Sequence, residues 1–170
     1  MGLDRPDTII LGVDPGLQVT GYGLIAVAGR KIRLLEGGTI EGGKATLPMA
    51  TRLRNLYDGL NSLFATRRPM AMAMEQLYSH YAHPRTAILM GHARGVLSLA
   101  AALNDVEVFD YAATEVKSSL TGNGRATKEQ MQRAIRSTLG LREDPQPPDV
   151  ADALAVALCH AHRVRGMGGT

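Results

Sequence analysis

Ile9-Ile10-Leu11-Gly12-Val13-Asp14-Pro15-Gly16 is an unbroken apolar run closed by an acid and a turn. A short run of this kind reads as a buried strand that delivers a carboxylate at its end. Downstream, Thr20 to Val27 and Lys31 to Ile40 are further strand-like runs, separated by Gly29 and interrupted by Gly37-Gly38. Their close spacing predicts an antiparallel meander. Glu41 to Lys44 reads as a loop.

An amphipathic helix follows. Leu53, Leu56, Tyr57, Leu60, Leu63 and Phe64 recur at three- and four-residue steps, with Arg52, Arg54, Asn55 and Asp58 on the other side, and Pro69 ends it. Met70 to Leu77 predicts a strand with Met70, Met72 and Met74 on one face and Ala71, Ala73 and Glu75 on the other. His83 to Asn104 predicts a second helix, apolar nearly all round from Ala93 to Leu103. A helix of that kind needs cover on every side. A dimer seam around Val96 to Leu103 is the favoured cover, with a fully buried internal helix as the rival.

Val106 to Tyr111 reads as a strand, Glu115 to Leu120 as a short helix and Gly122-Asn123-Gly124 as a loop. Thr127 and Gln130 have capping-box spacing for a helix Lys128 to Leu139, which Gly140 stops. A final helix runs from Asp149 to about Arg163 after Pro147-Pro148. The expected fold class is α/β, a mixed five-stranded sheet with helices on both faces, in the order of the ribonuclease H-like fold. Residues 1–165 are expected to form one domain and 166–170 a flexible tail.

Composition narrows the field without deciding it. At 170 residues, 45% apolar and 21% charged, the chain is balanced for a single globular domain. Met1 to Pro6 has neither the basic start nor the apolar stretch of a secretory signal, and no apolar run is expected to span a bilayer, which needs about 20 residues. The lone Cys159 suits a reducing compartment, so a cytoplasmic protein with no membrane partner is expected. A net charge of +3 and a pI of 9.2 are compatible with a polyanionic partner without requiring one.

Four carboxylates carry the chemistry. Asp14 and Glu75 end strands, and Asp149 and Asp152 sit three apart on one face of the last helix. Taken singly, Asp14 could initiate a turn, Asp149 could cap a helix and Glu75 could be a strand-end charge. Asp152 has little structural reason to stand inside Val150-Ala151-Asp152-Ala153-Leu154-Ala155. That helix face is expected to pack on the sheet, and no basic residue lies beside the acids in sequence to neutralise them. Buried acids need pairing or a metal, and an all-oxygen cluster suits Mg²⁺ or Mn²⁺.

The motifs that hold these acids resemble the RuvC family of bacterial Holliday junction resolvases. Ile10 to Gly16 with Thr20-Gly21-Tyr22-Gly23 is similar to the family's opening, Glu75-Gln76-Leu77-Tyr78 to its second acidic motif, Gly91 to Val96 to its glycine-rich helix, and Asp149 to Ala155 to its last. Gly122-Asn123-Gly124 with Lys128 and Gln130 also fits. The resemblance runs from about Ile9 to His162 in the family's order and spacing. It implies that Asp14, Glu75, Asp149 and Asp152 are the metal-binding catalytic acids, with Asp14 shared between two Mg²⁺ ions for which Mn²⁺ substitutes. It further implies hydrolysis of a phosphodiester to a 5′-phosphate and a 3′-hydroxyl, paired nicks in four-way junction DNA by a homodimer, and RuvA and RuvB as branch-migration partners.

For DNA contacts the resemblance implies Tyr78 as an aromatic that stacks on an unpaired base, and Lys117 and Lys128 as contacts to phosphates near the cut. Arg125 is added by its proximity to Lys128. The bland alternatives are a strand-end tyrosine and solvated surface charges. Ser79 to Arg85 differs from the family's common form. Two competing functions are weighed: a junction-binding module without catalysis, which four intact acids argue against, and a nuclease acting on RNA–DNA hybrids, which Tyr78 and the apolar helix argue against. An actin-like phosphate-binding domain would need a far longer chain.

Overall fold

The computed structural model describes residues 7–77 and 84–167. Tyr78, Ser79 to His83, and the last three residues lie outside them. Five strands form one sheet: β1 (Thr8–Asp14), β2 (Val19–Ala28), β3 (Lys31–Glu41), β4 (Ala71–Glu75) and β5 (Glu107–Tyr111). Their order is β3-β2-β1-β4-β5. β1, β2 and β3 are the expected antiparallel meander, while β4 lies parallel to both β1 and β5. The mixed sheet therefore points the carboxyl ends of β1, β4 and β5 to one edge.

The helices are α1 (Met49–Arg67), α2 (Pro84–Leu103), α3 (Ala113–Thr121), α4 (Lys128–Leu139) and α5 (Pro148–Met167). Strand alternation sorts the core into two layers. Leu11, Val13, Met72 and Met74 pack with Leu56, Leu60 and Phe64 of α1 and with Ala93 and Leu97 of α2. Ile10, Ile25, Ala73 and Tyr111 pack on the other side with Val116, Ile135 and α5. Asp14 and Glu75 follow Gly12 and Ala73 in this alternation, which turns both toward α5.

Close approach of α5 depends on missing side chains. A Cβ on Gly12 would stand 1.9 Å from the Ala153 carbonyl oxygen, and one on Gly21 would stand 2.2 Å from that of Asp149. The helix can lie this near the sheet only because glycine leaves room.

Local signals account for the helix ends. Thr127 and Gln130 form the capping box of α4, and Gly140 closes it in the left-handed conformation. α5 continues through Gly166 to Met167, past the point where a tail was expected.

Three expectations need correction. Arg52 is on the core face of α1, only 7% exposed, because it stands one turn before the buried Leu56. Its Nε has no hydrogen-bond partner. Met70 precedes β4 and is exposed. Thirdly, α2 is long and apolar enough by composition to cross a bilayer, although no such run was expected; it packs on α1 and the sheet, with a charged Arg94 at its middle.

Nor is α2 the fully buried helix of the rival reading. Ala93, Leu97, Ala100 and Ala101 are buried, while Ile88 (62%), Leu99 (53%) and Leu103 (62%) face outward. His92 and Gly95 complete that outer stripe at helical spacing.

Candidate active site

The site forms where the carboxyl ends of β1 and β4 meet the first turn of α5. Asp14 ends β1, Glu75 ends β4, and Asp149 and Asp152 stand on consecutive turns of α5. α5 is buried from Val150 to Ala161 apart from one residue, and that residue is Asp152. The expectation that this face packs dry against the sheet is thus wrong for Asp152. Its carboxylate reaches solvent in a cleft.

The four acids are close enough to act on one another electrostatically. Asp14 is pushed up to about 7, first by burial, then by the charges of Asp152, Asp149 and Glu75, and by a side-chain hydrogen bond to Asp149. Glu75 is raised by burial and by Asp152, and Asp152 by burial and by Asp149. Glu75 and Asp152 have exposed tips, yet the surrounding cleft walls remove much of their hydration. Among the described residues, no three Asp, Glu, His or Cys side chains are placed to hold a metal ion between them as they stand. The acids form a facing cluster. Their all-oxygen donor set, like charge and partial burial fit a hard divalent cation.

Folding supplies the positive charge that was missing in sequence. Lys117 of α3 draws Glu75 down and Lys128 of α4 draws Asp152 down, each against the effect of burial. Both lysines line a cleft of about 240 Å³ together with Glu75, Asp152, Val116, Met131 and Gln132. An adjoining hollow is lined by Asp14, Glu75, Asp152, Met90 and Arg94. The two share Glu75 and Asp152 and form one groove across the acids.

Arg125 is exposed on the loop before α4, where its N–H donates to Asn123 Oδ1 at 2.9 Å, and it does not line the cleft. Tyr78 falls outside the described residues. The sequence reading missed Arg94, a guanidinium that donates to the Glu75 carbonyl and to Asp110. The available signal was a cation in the middle of an apolar helix with no acid one turn away.

A mixed sheet in this strand order, with helices on both faces and acids gathered at the carboxyl edge of its central strands, defines the ribonuclease H-like class. Residues 10–160 match the family described as crossover junction endodeoxyribonuclease RuvC. The chain belongs to the RuvC family. It is 52% identical over 151 residues to the RuvC of Rhodopirellula baltica, covering 88% of this chain and 84% of that one. It is 44% identical to the RuvC of Alkaliphilus metalliredigens, covering 91% and 93%. Among solved structures, T. thermophilus RuvC in complex with a Holliday junction substrate superposes with a TM-score of 0.88 at 35% identity, covering 95% of this chain and 96% of that one.

Proposed function

We propose that this protein is a structure-specific endonuclease that resolves four-way DNA junctions by paired, symmetric nicks, with Asp14, Glu75, Asp149 and Asp152 as its catalytic metal ligands. The observation that carries the reading is a groove in which Lys117 and Lys128 stand with Glu75 and Asp152, beside an adjoining hollow that Asp14 also lines, with Asp149 close enough to raise Asp14. The relatives' activity and the junction bound by the T. thermophilus protein support the choice of substrate.

The donor set fits two Mg²⁺ ions, with Mn²⁺ as a substitute. Bound Mg²⁺ supplies Lewis-acid activation of the attacking water and neutralises charge on the leaving 3′-oxygen. The chain's own part is placement. Asp14, at the end of the central strand, would be the ligand shared by the two ions, with Glu75 on the neighbouring strand and Asp149 and Asp152 on α5 completing the set. Lys117 and Lys128 line the same cleft as Glu75 and Asp152, where they would hold the phosphates flanking the cut and weaken in effect as salt rises. Arg125 would reach a phosphate further along the strand. Tyr78 would stack on an unpaired base at the junction centre, a contact worth about 1–3 kcal/mol.

Two nicks in a two-fold symmetric junction call for two like sites, and the outer stripe Ile88, Leu99 and Leu103 of α2 is the proposed isologous dimer surface. RuvA and RuvB are the proposed partners, and the cytoplasm, where the chromosome lies, is the proposed location.

The test is cleavage of a labelled four-way junction in Mg²⁺ and in EDTA, beside linear duplex and RNA–DNA hybrid. Ligatable paired nicks confined to the junction and lost in EDTA are expected. Junction binding without cuts in either Mg²⁺ or Mn²⁺ would instead indicate a binding module, and preferential cutting of the hybrid would indicate a ribonuclease.

A further inference from the structure

We propose that Arg94 is a positioning residue that fixes Glu75 in the site, so that α2 holds the carboxylate of β4 in place opposite Asp14. The proposal rests on the reading of Glu75 as a metal ligand. Its starting point is the way β4 ends. Pairing of β1 with β4 stops at Val13 and Met74, because β1 turns away after Asp14. Toward β5 the support lasts only a little longer, with Glu75 opposite Tyr111 and the Gln76 N–H donating to the Tyr111 carbonyl at 2.8 Å. Glu75 therefore stands where the sheet has run out on one side.

Arg94 takes over at that point. One guanidinium N–H donates to the Glu75 carbonyl, and another donates to the Asp110 carboxylate at 2.6 Å. Asp110 is opposite Met74 in the parallel ladder, so a single planar group joins the ends of β4 and β5 to α2. The Arg94 side chain is 13% exposed. A cation so placed is costly unless it is hydrogen-bonded, and these two acceptors take one N–H from each terminal nitrogen, the second bond being charge-assisted. Its neighbours on α2, Ala93 and Leu97, are fully buried in the core, so the guanidinium is aimed from a fixed base.

Substrate binding is a poor alternative role. Although Arg94 lines the groove beside Asp14 and Asp152, the donors described above are committed to protein acceptors. The planar fork that spans two acceptors is a property of arginine that lysine does not share. Groups that orient metal ligands from behind commonly change metal affinity or activity by about 10- to 100-fold when removed.

The experiment compares full-length Arg94→Gln, Arg94→Lys and Asp110→Asn with the wild type. Mg²⁺ binding is read by thermal shift and calorimetry without DNA, junction affinity in EDTA, and kcat against KM in saturating Mg²⁺. Arg94→Gln is expected to raise the half-saturating Mg²⁺ concentration and lower kcat by about 10- to 100-fold, with junction affinity and KM unchanged. Arg94→Lys should recover part of the loss. Asp110→Asn should fall between, since it keeps the bond to the Glu75 carbonyl.

An Arg94→Gln protein that folds with wild-type Mg²⁺ affinity and kcat would overturn the proposal. If Arg94→Gln does not fold, Asp110→Asn decides by the same Mg²⁺ titration: a raised half-saturation supports the role and an unchanged one overturns it. A wild type that binds Mg²⁺ yet cuts no junction would remove the resolvase reading, while the DNA-free titration would still judge Arg94.

Discussion

Gly12 of β1 and Ala153 of α5 meet backbone to backbone, with 1.9 Å between the position of a Cβ on the glycine and the alanine carbonyl oxygen. The contact sets how low α5 lies on the sheet and hence how near Asp149 and Asp152 come to Asp14. Gly12→Ala is expected to lift the helix and cost about 1–3 kcal/mol or more, read as a lower urea midpoint. An unchanged midpoint would show that α5 can slide without loss.

Asp14→Asn should bind a four-way junction and fail to cut it. Removing one of four facing charges should also raise the melting temperature in EDTA and shrink the further rise produced by Mg²⁺. Wild-type nicking by the variant would remove Asp14 from the chemistry.

The same pair of proteins tests the pH dependence of the site. The folded-state value for Asp14 lies at about 7, above the ordinary 3.8, so the native state holds the proton more tightly than the unfolded chain between those values. Metal-free stability from this group is therefore greatest at low pH and is lost as pH rises toward 7. His160, held low by burial, acts in the opposite sense as pH falls below its ordinary 6.5. Subtracting Asp14→Asn from wild type cancels the histidine. The stability advantage of Asp14→Asn in EDTA should be large at pH 8 and small at pH 5; a constant difference would contradict the raised value.

Leu99→Glu should leave the fold intact, because Leu99 is half exposed on the outer stripe of α2, and should give a monomer by light scattering that makes no paired nicks. Leu97, which sequence alone places in the same expected seam, is fully buried against the chain's own core. Leu97→Ala should instead cost about 2–5 kcal/mol with dimerisation unaffected. A dimeric Leu99→Glu protein would move the interface elsewhere.

Most elements were legible because their signals are local. Alternation in Met72-Ala73-Met74, the capping box at Thr127 and the turn at Asp14-Pro15 each declare themselves within a few residues. The four acids could be read because three interrupt or end apolar runs. What escaped depends on packing. α2 is apolar on nearly every side, so its periodicity could not say whether Leu97 or Leu99 faces inward. Arg52 reads as the polar edge of α1, yet it is buried on the same side as Leu56. Arg94 acquires meaning only when β4 and β5 bring Glu75 and Asp110 beside it. Lys117 and Lys128 are more than 40 residues from Glu75 in the chain, so they entered the sequence reading only through the family resemblance, and the fold brings them beside Glu75 and Asp152.

The helix that presents Asp149 and Asp152 is also the hydrophobic centre of the molecule, shielded from Val150 to Ala161 except at Asp152 itself. The amides of its buried middle are expected to be among the last to exchange with solvent. Two of the four proposed ligands should thus be carried by the slowest-opening part of the protein. Local breathing at the edges of the sheet leaves them in place, and they scatter only when the entire domain unfolds. The cost is evolutionary: a substitution that repacks the middle of this protein shifts its carboxylates as well, so core drift and catalytic drift are the same event.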